Sequence, residues 1–230
     1  TTNDATLAVT FTSSEVTTNF VSGDVTVTNG SINNTFAASG NSGTTYTATF
    51  TPSQDGATTI KVNAGAFTDA VGNTSAESNT ITWTFDSTVP TVTGVIVAGG
   101  DDNYKQGEAV TIEVTFSEAV NVTNTPTLAL NTSATASYAS GHGTATLTFT
   151  YTVGAGENTS DLDYAATSSL SGTIKDLYGN DANLTLATPG QSGSISDDDD
   201  VVIDTTAPSV SEAVAVTTPS NDVTPSLTIN

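Results

Sequence analysis

The sequence predicts an all-β chain of tandem sandwiches, on three observations. Apolar and polar residues alternate with period two, the alternating runs recur every ~10 residues, and several segments repeat in the same order along the chain. The first run, residues 6–11, puts Leu7, Val9 and Phe11 on one face. Val25 and Val27, then Tyr46, Ala48 and Phe50, then Ile60 and Val62, then Ile81, Trp83 and Phe85 follow the same rule. Turn-forming clusters separate them: Ser22-Gly23-Asp24, Pro52-Ser53-Gln54-Asp55-Gly56 and Val71-Gly72-Asn73. No stretch carries apolar residues at helical spacing over the length of a helix.

A second set of strands starts after Pro90, with residues 95–97, 110–116, 127–130 and 144–153. Residues 184–186 and 201–203 are expected to close it. A third start is expected at residues 214–216, followed by residues 226–229. Thr, Val, Ile, Phe and Tyr together make a β composition, and the alternation sets the chain apart from disordered polypeptides of low hydrophobicity and high charge.

The repeats define the organisation. Phe85-Asp86-Ser87-Thr88-Val89-Pro90-Thr91-Val92 matches Ile203-Asp204-Thr205-Thr206-Ala207-Pro208-Ser209-Val210. Val9-Thr10-Phe11-Thr12-Ser13-Ser14-Glu15 resembles Val114-Thr115-Phe116-Ser117-Glu118. Asp69-Ala70-Val71-Gly72-Asn73 resembles Asp176-Leu177-Tyr178-Gly179-Asn180. The expected domains are therefore 1–87, lacking a first strand; 91–204, longer; and 208–230, the first strands of a further repeat. Pro90 and Pro208 hold the residues before them extended, so the junctions are expected to be short and stiff and the whole an elongated rod.

Composition narrows the function. Asp and Glu number 24 against 3 Lys and Arg, a formal charge of −21. Such a chain cannot supply the basic footprint that nucleic acid or an anionic membrane surface requires, so neither is an expected partner. No apolar run approaches the ~18 residues of a membrane span, and the opening residues lack the pattern of a secretory signal peptide. With no Cys there are no disulfides, thiolate metal sites or thiol nucleophiles. His142, the one histidine, stands alone in a Gly141-His142-Gly143 turn. No Ser sits in a nucleophile elbow, and no carboxylate pair is placed across an aromatic cleft, so no enzymatic activity is expected.

The junctions at residues 86–90 and 204–208, the Val114-Thr115-Phe116-Ser117-Glu118 segment and the D-x-x-G-N loops at Asp69 and Asp176 resemble bacterial immunoglobulin-like repeats of giant secreted adhesins and biofilm-associated surface proteins. That resemblance implies immunoglobulin-like β-sandwiches at the cell surface, acting as extracellular spacers whose neighbours are further repeats of the chain or copies of itself. It also implies stiffening by Ca²⁺ at domain junctions. Two other readings stand beside it: a subunit of a self-assembling surface layer or filament joined by strand donation, and a ligand-binding tip. The first would need strand exchange or an apolar lateral face, the second an exposed aromatic groove.

Hard cations take oxygen ligands, and this sequence offers no softer donor set. Asp86 and Asp204 at the junctions, with Asp69 and Asp176 in the D-x-x-G-N loops, are expected to converge at the ends of the sandwiches. Glu15 and Glu118 each close a strand that reaches an end, and Asp101 and Asp102 are expected to reach toward the Asp86 junction. The alternative for every one of them is an Asx-turn in a solvated loop. Glu157 with Asp161 and Asp163 forms a lesser acidic cluster, and Asp197-Asp198-Asp199-Asp200 reads as a solvated acidic loop.

Overall fold

In a computed structural model, residues 2–33, 36–38 and 43–210 are described. Fourteen strands occur among them, in chain order. They are β1 (Leu7–Thr12), β2 (Val25–Thr28), β3 (Gly30–Ile32), β4 (Ala37–Ala38), β5 (Thr45–Pro52), β6 (Gly56–Val62) and β7 (Ile81–Phe85), then β8 (Val92–Val97), β9 (Asp102–Tyr104), β10 (Ala109–Ala129), β11 (Thr135–Ser140), β12 (Thr144–Thr152), β13 (Leu170–Asp176) and β14 (Val201–Ile203). The strand ladders divide the chain: β1–β7 pair only among themselves, and so do β8–β14.

In the first unit, β1–β5–β3, with β4 also on β5, faces β2–β6–β7. Leu7, Val9 and Phe11 point inward from β1, and Tyr46, Ala48 and Phe50 from β5, as the alternation predicts. The interior is aromatic. Phe20 meets Phe11, Phe36, Tyr46 and Phe67 at ring-centroid distances of 4.6–5.7 Å, and Trp83 stands edge-on to Phe50 at 4.9 Å. These contacts add to the area the rings bury.

The second unit is larger and better sealed. The N-terminal half of β10 lies between β8 and β12, and its C-terminal half pairs with β11 and β13. Register shifts near Thr115–Val120 and Thr123–Thr127, with Asn124 at φ 65°, let one long strand change partners along its length. Val95, Ile112, Val114, Leu128, Leu147, Phe149 and Tyr164 are fully buried in one continuous core.

Several expectations need correction. Residues 127–129 are the end of β10, not a separate strand, and Leu130 makes an isolated bridge to Tyr164. Residues 184–186 form no strand; Asn183 makes one parallel bridge to Thr91, and Leu186 is buried as a loop residue. The Asp197–Asp200 run is not a free loop. Ile195–Asp198 is a short helical turn, and Asp199 Oδ2 accepts the Val97 N–H at 2.7 Å. The third start at residues 214–216 and 226–229 lies outside the described residues.

The two units reproduce each other in detail. Asp86 N–H bonds the Thr2 carbonyl, as Asp204 N–H bonds that of Tyr104. Thr17 bridges Asp69 as Val120 pairs with Asp176. The first half of β10 is therefore the counterpart of β1, and β12 that of β5.

Candidate metal centre at the junction

The D-x-x-G-N loops owe their shape to the aspartate. In the second unit Asp176 Oδ1 accepts the N–H groups of Tyr178, Gly179 and Asn180 at 2.8, 2.6 and 2.8 Å, and Oδ2 takes the Asn180 amide at 2.6 Å. Gly179 sits at φ 107°, a conformation that side chains resist. The Asp69 loop repeats three of these bonds, Asn73 Nδ2 to Oδ2 at 2.8 Å and the Val71 and Asn73 N–H groups to Oδ1 at 2.9 and 2.8 Å, while Gly72 N–H bonds the Asp69 main-chain carbonyl at 3.3 Å. Asx-turn geometry and a role as a cation ligand are compatible, because each carboxylate oxygen keeps further lone pairs.

Between the units the chain is held on both sides. Asp55 accepts the Ser87 N–H and hydroxyl at 2.7 and 2.8 Å and the Thr88 hydroxyl at 2.6 Å. The Thr88 hydroxyl foremost, then Ser87, lowers the Asp55 carboxyl below its ordinary value. Thr88 N–H bonds Asp86 Oδ1 at 2.9 Å. Beyond the buried Pro90, Thr91 exchanges bonds with Ser117 at 2.8 and 3.0 Å, and Asn183 N–H bonds the Pro90 carbonyl at 2.8 Å.

This linker brings Asp86 from the first unit against Glu118 and Asp176 of the second. Ligand oxygens of these three carboxylates lie within 4.8 Å of one another, the one such group among the described residues. Burial, then the charges of Asp86, Asp176 and Asp55, push the Glu118 carboxyl up. Burial also pushes Asp176 up, but the bonds from the Asn180 side chain and from the Asn180, Tyr178 and Gly179 backbone outweigh it and hold its carboxyl below the ordinary value. Asn180 Nδ2 also reaches the Asp86 carbonyl at 3.0 Å, and its Oδ1 accepts from Asn3 at 3.2 Å.

The expected convergence is thus met differently. An exit aspartate does not join the D-x-x-G-N loop of its own unit, because the two lie at opposite poles. Asp86 instead meets the loop of the following unit. Glu15 and Asp69 line one groove at the far end of the first unit, and Asp204 lies at the far end of the second, where Thr206 N–H bonds its Oδ1 at 2.8 Å. Asp101 and Asp102 do not reach Asp86. β8 carries the chain away from the junction by ~20 Å at 3.3 Å per residue, and Asp101 Oδ1 there accepts the Asp200 N–H at 2.8 Å.

The other acidic groups have structural employment. Glu157 Oε2 accepts from the Tyr151 hydroxyl and the Gly154 N–H at 2.5 and 2.6 Å. Asp163, buried, ties together Tyr164, Gly190 and Ser196. His142 Nδ1 accepts the Val122 N–H at 3.1 Å.

Residues 1–85 match the family model of a bacterial Ig-like domain. No curated protein and no solved structure gives a significant match. Bacterial Ig-like domains are structural and adhesion-type domains, common in surface or extracellular proteins. No helix among the described residues is long and apolar enough to cross a membrane.

Proposed function

Given a bacterial Ig-like domain over residues 1–85, we propose that this chain is a spacer segment of a modular extracellular surface protein, made rod-like by Ca²⁺ bound between successive domains. The observation that carries the reading is the meeting of Asp86, Glu118 and Asp176 across the junction. Carboxylate oxygens are hard donors suited to Ca²⁺, which completes its six to eight ligands with carbonyls and water. Without a cation the three groups repel at this range, and burial first, then the charges of Asp86, Asp176 and Asp55, push the Glu118 carboxyl up. With one, the same charges clamp two units otherwise joined by a short, hydrogen-bonded linker and by the bonds of Asn180 to Asp86 and Asn3. The role is mechanical and not enzymatic. The aromatic rings of the first unit are spent on its own core, so nothing favours a tip that binds ligand through an aromatic groove.

The test is calorimetric titration with Ca²⁺ together with thermal unfolding and small-angle scattering. Ca²⁺ at a hundredfold excess over its Kd stabilises the native state by about 2.7 kcal/mol. Melting and dimensions that stay the same in Ca²⁺ and in EDTA overturn the reading.

A further inference from the structure

We propose that Asp55 sets the cation affinity of the junction through its charge, without being a ligand, while the bonds it makes position the linker that carries Asp86. The inference rests on the Ca²⁺ reading above and adds a residue to it. Asp55 ends the turn between β5 and β6, at the pole of the first unit where β7 finishes, because Gly56 pairs with Phe85. Asp86 therefore leaves the sandwich beside it. The Asp55 carboxylate holds the two residues that follow Asp86. Oδ1 accepts the Ser87 N–H and hydroxyl at 2.7 and 2.8 Å, and Oδ2 accepts the Thr88 hydroxyl at 2.6 Å. Thr88 N–H in turn bonds Asp86 Oδ1 at 2.9 Å. One chain of bonds thus runs from Asp55 through Thr88 to a carboxylate of the junction trio. The three lysines pair with Glu77, Glu108 and Asp181, so none of them neutralises Asp55.

The second unit shows that the clamp itself needs no charge. There Asn158 takes the place of Asp55. Its Oδ1 accepts the Thr205 N–H at 2.8 Å and the Thr205 and Thr206 hydroxyls at 3.2 and 3.5 Å. Thr205 and Thr206 follow Asp204 as Ser87 and Thr88 follow Asp86, and Thr206 N–H bonds Asp204 Oδ1 at 2.8 Å. A neutral amide therefore ties the same two residues after the same strand. The negative charge of Asp55 is surplus to that task and acts on its surroundings. Asp55 stands outside the trio whose oxygens lie within 4.8 Å of one another, and its own oxygens already serve three donors. Its charge nevertheless reaches that trio, being the last of the causes, after burial, Asp86 and Asp176, that push the Glu118 carboxyl up. A field that resists a further negative charge draws in a divalent cation, and a residue outside the ligand set can tune a metal this way. Because Asp55 is exposed, salt screens its contribution.

The experiment compares the 230-residue chain with its Asp55→Asn and Asp55→Ala variants. Each is melted in EDTA and titrated calorimetrically with Ca²⁺, once at about 0.01 M salt and once at about 1 M, where the Debye length falls from about 30 Å to about 3 Å. Asp55→Asn keeps the acceptor that Asn158 supplies in the second unit, so it should melt in EDTA close to wild type. Its Ca²⁺ affinity should fall by about threefold or more at low salt, and the difference should close at high salt. Asp55→Ala loses the clamp as well, so it should melt lower in EDTA and bind Ca²⁺ more weakly than Asp55→Asn at both salt concentrations. A wild-type chain that binds Ca²⁺ beside an Asp55→Asn variant that binds it equally well at low salt would overturn this inference and leave the spacer reading standing. A loss that persists undiminished at high salt, or an Asp55→Asn variant that melts as low as Asp55→Ala, would make Asp55 a structural residue and overturn it too. A wild-type chain that binds no Ca²⁺ at either salt concentration overturns the spacer reading and this inference with it.

Discussion

The side-chain amide of Asn180 donates to the main-chain carbonyl of Asp86, a bond of 3.0 Å that crosses from one unit to the other. The second hydrogen of that amide goes to Asp176 Oδ2 at 2.6 Å. One neutral side chain thus fixes both the loop that presents Asp176 and the exit of the strand that presents Asp86. Two carboxylates are brought together across the junction by a side chain that carries no charge.

Asn180→Ala should therefore act on the junction more than on either core. It leaves a nearly buried carboxylate one hydrogen bond short, a loss of about 1–3 kcal/mol. Chemical denaturation should show that loss. Ca²⁺ affinity should fall by about tenfold or more, since 1.4 kcal/mol is a factor of ten. Unchanged affinity would mean that the Asp176 loop holds its shape without Asn180.

Glu118→Gln should have opposite effects with and without metal. In EDTA it removes a charge that burial and three neighbouring aspartates disfavour, so the melting temperature should rise. In saturating Ca²⁺ it removes a ligand, so the gain from the ion should shrink. A variant less stable than wild type in both conditions would show that Glu118 serves the fold and not the ion.

The same groups set a pH profile for the metal-free protein. The folded Glu118 carboxyl is raised above its ordinary 4.5, so its contribution is full below that value and is lost as pH climbs through the raised one. The folded Asp176 carboxyl is lowered below 3.8, so its contribution is present above 3.8 and is lost as pH falls through the lowered value. Stability in EDTA should accordingly improve on going from neutral pH toward about 4.5, then decline below 3.8. Glu118→Gln should flatten the upper limb alone, which thermal unfolding in a pH series would reveal.

Much of this was legible in the chain itself. Alternation located β1, β2, β5, β6, β7, β8, β12 and β14, because each has one buried face with apolar side chains on it. It missed β3, β4, β9, β11 and β13, whose sequences are short or rich in Ser, Thr, Ala and Gly. Gly30-Ser31-Ile32 and Leu170-Ser171-Gly172-Thr173 carry too few apolar side chains to show a period. The junction trio was readable residue by residue, since Asp86, Glu118 and Asp176 each belong to a repeated motif. Which aspartate meets which loop was not readable, because the motifs do not say that an exit aspartate and its own D-x-x-G-N loop lie at opposite poles. The engagement of Asp199 with Val97 was also hidden: four consecutive aspartates look alike in sequence, and only packing against β8 singles one out.

The repeat supplies its own control for core packing, in Phe11 and Phe116, the same side chain at the same place in two units. Phe116 is 3% exposed, inside a core sealed by β8. Phe116→Ala removes a large buried group from close packing and should cost about 3–5 kcal/mol. Phe11 is half-buried and keeps edge or tilted contacts with Phe20 and Phe36 at 5.7 and 5.5 Å. Half the transfer energy of a phenylalanine plus those ring contacts comes to about 2 kcal/mol, so Phe11→Ala should cost about that much. Urea unfolding of each variant at low protein concentration, followed by Trp83 fluorescence for the first unit and by circular dichroism for the whole, gives both numbers. Equal costs would mean that the interior beneath β1 is as closed as the one beneath β8.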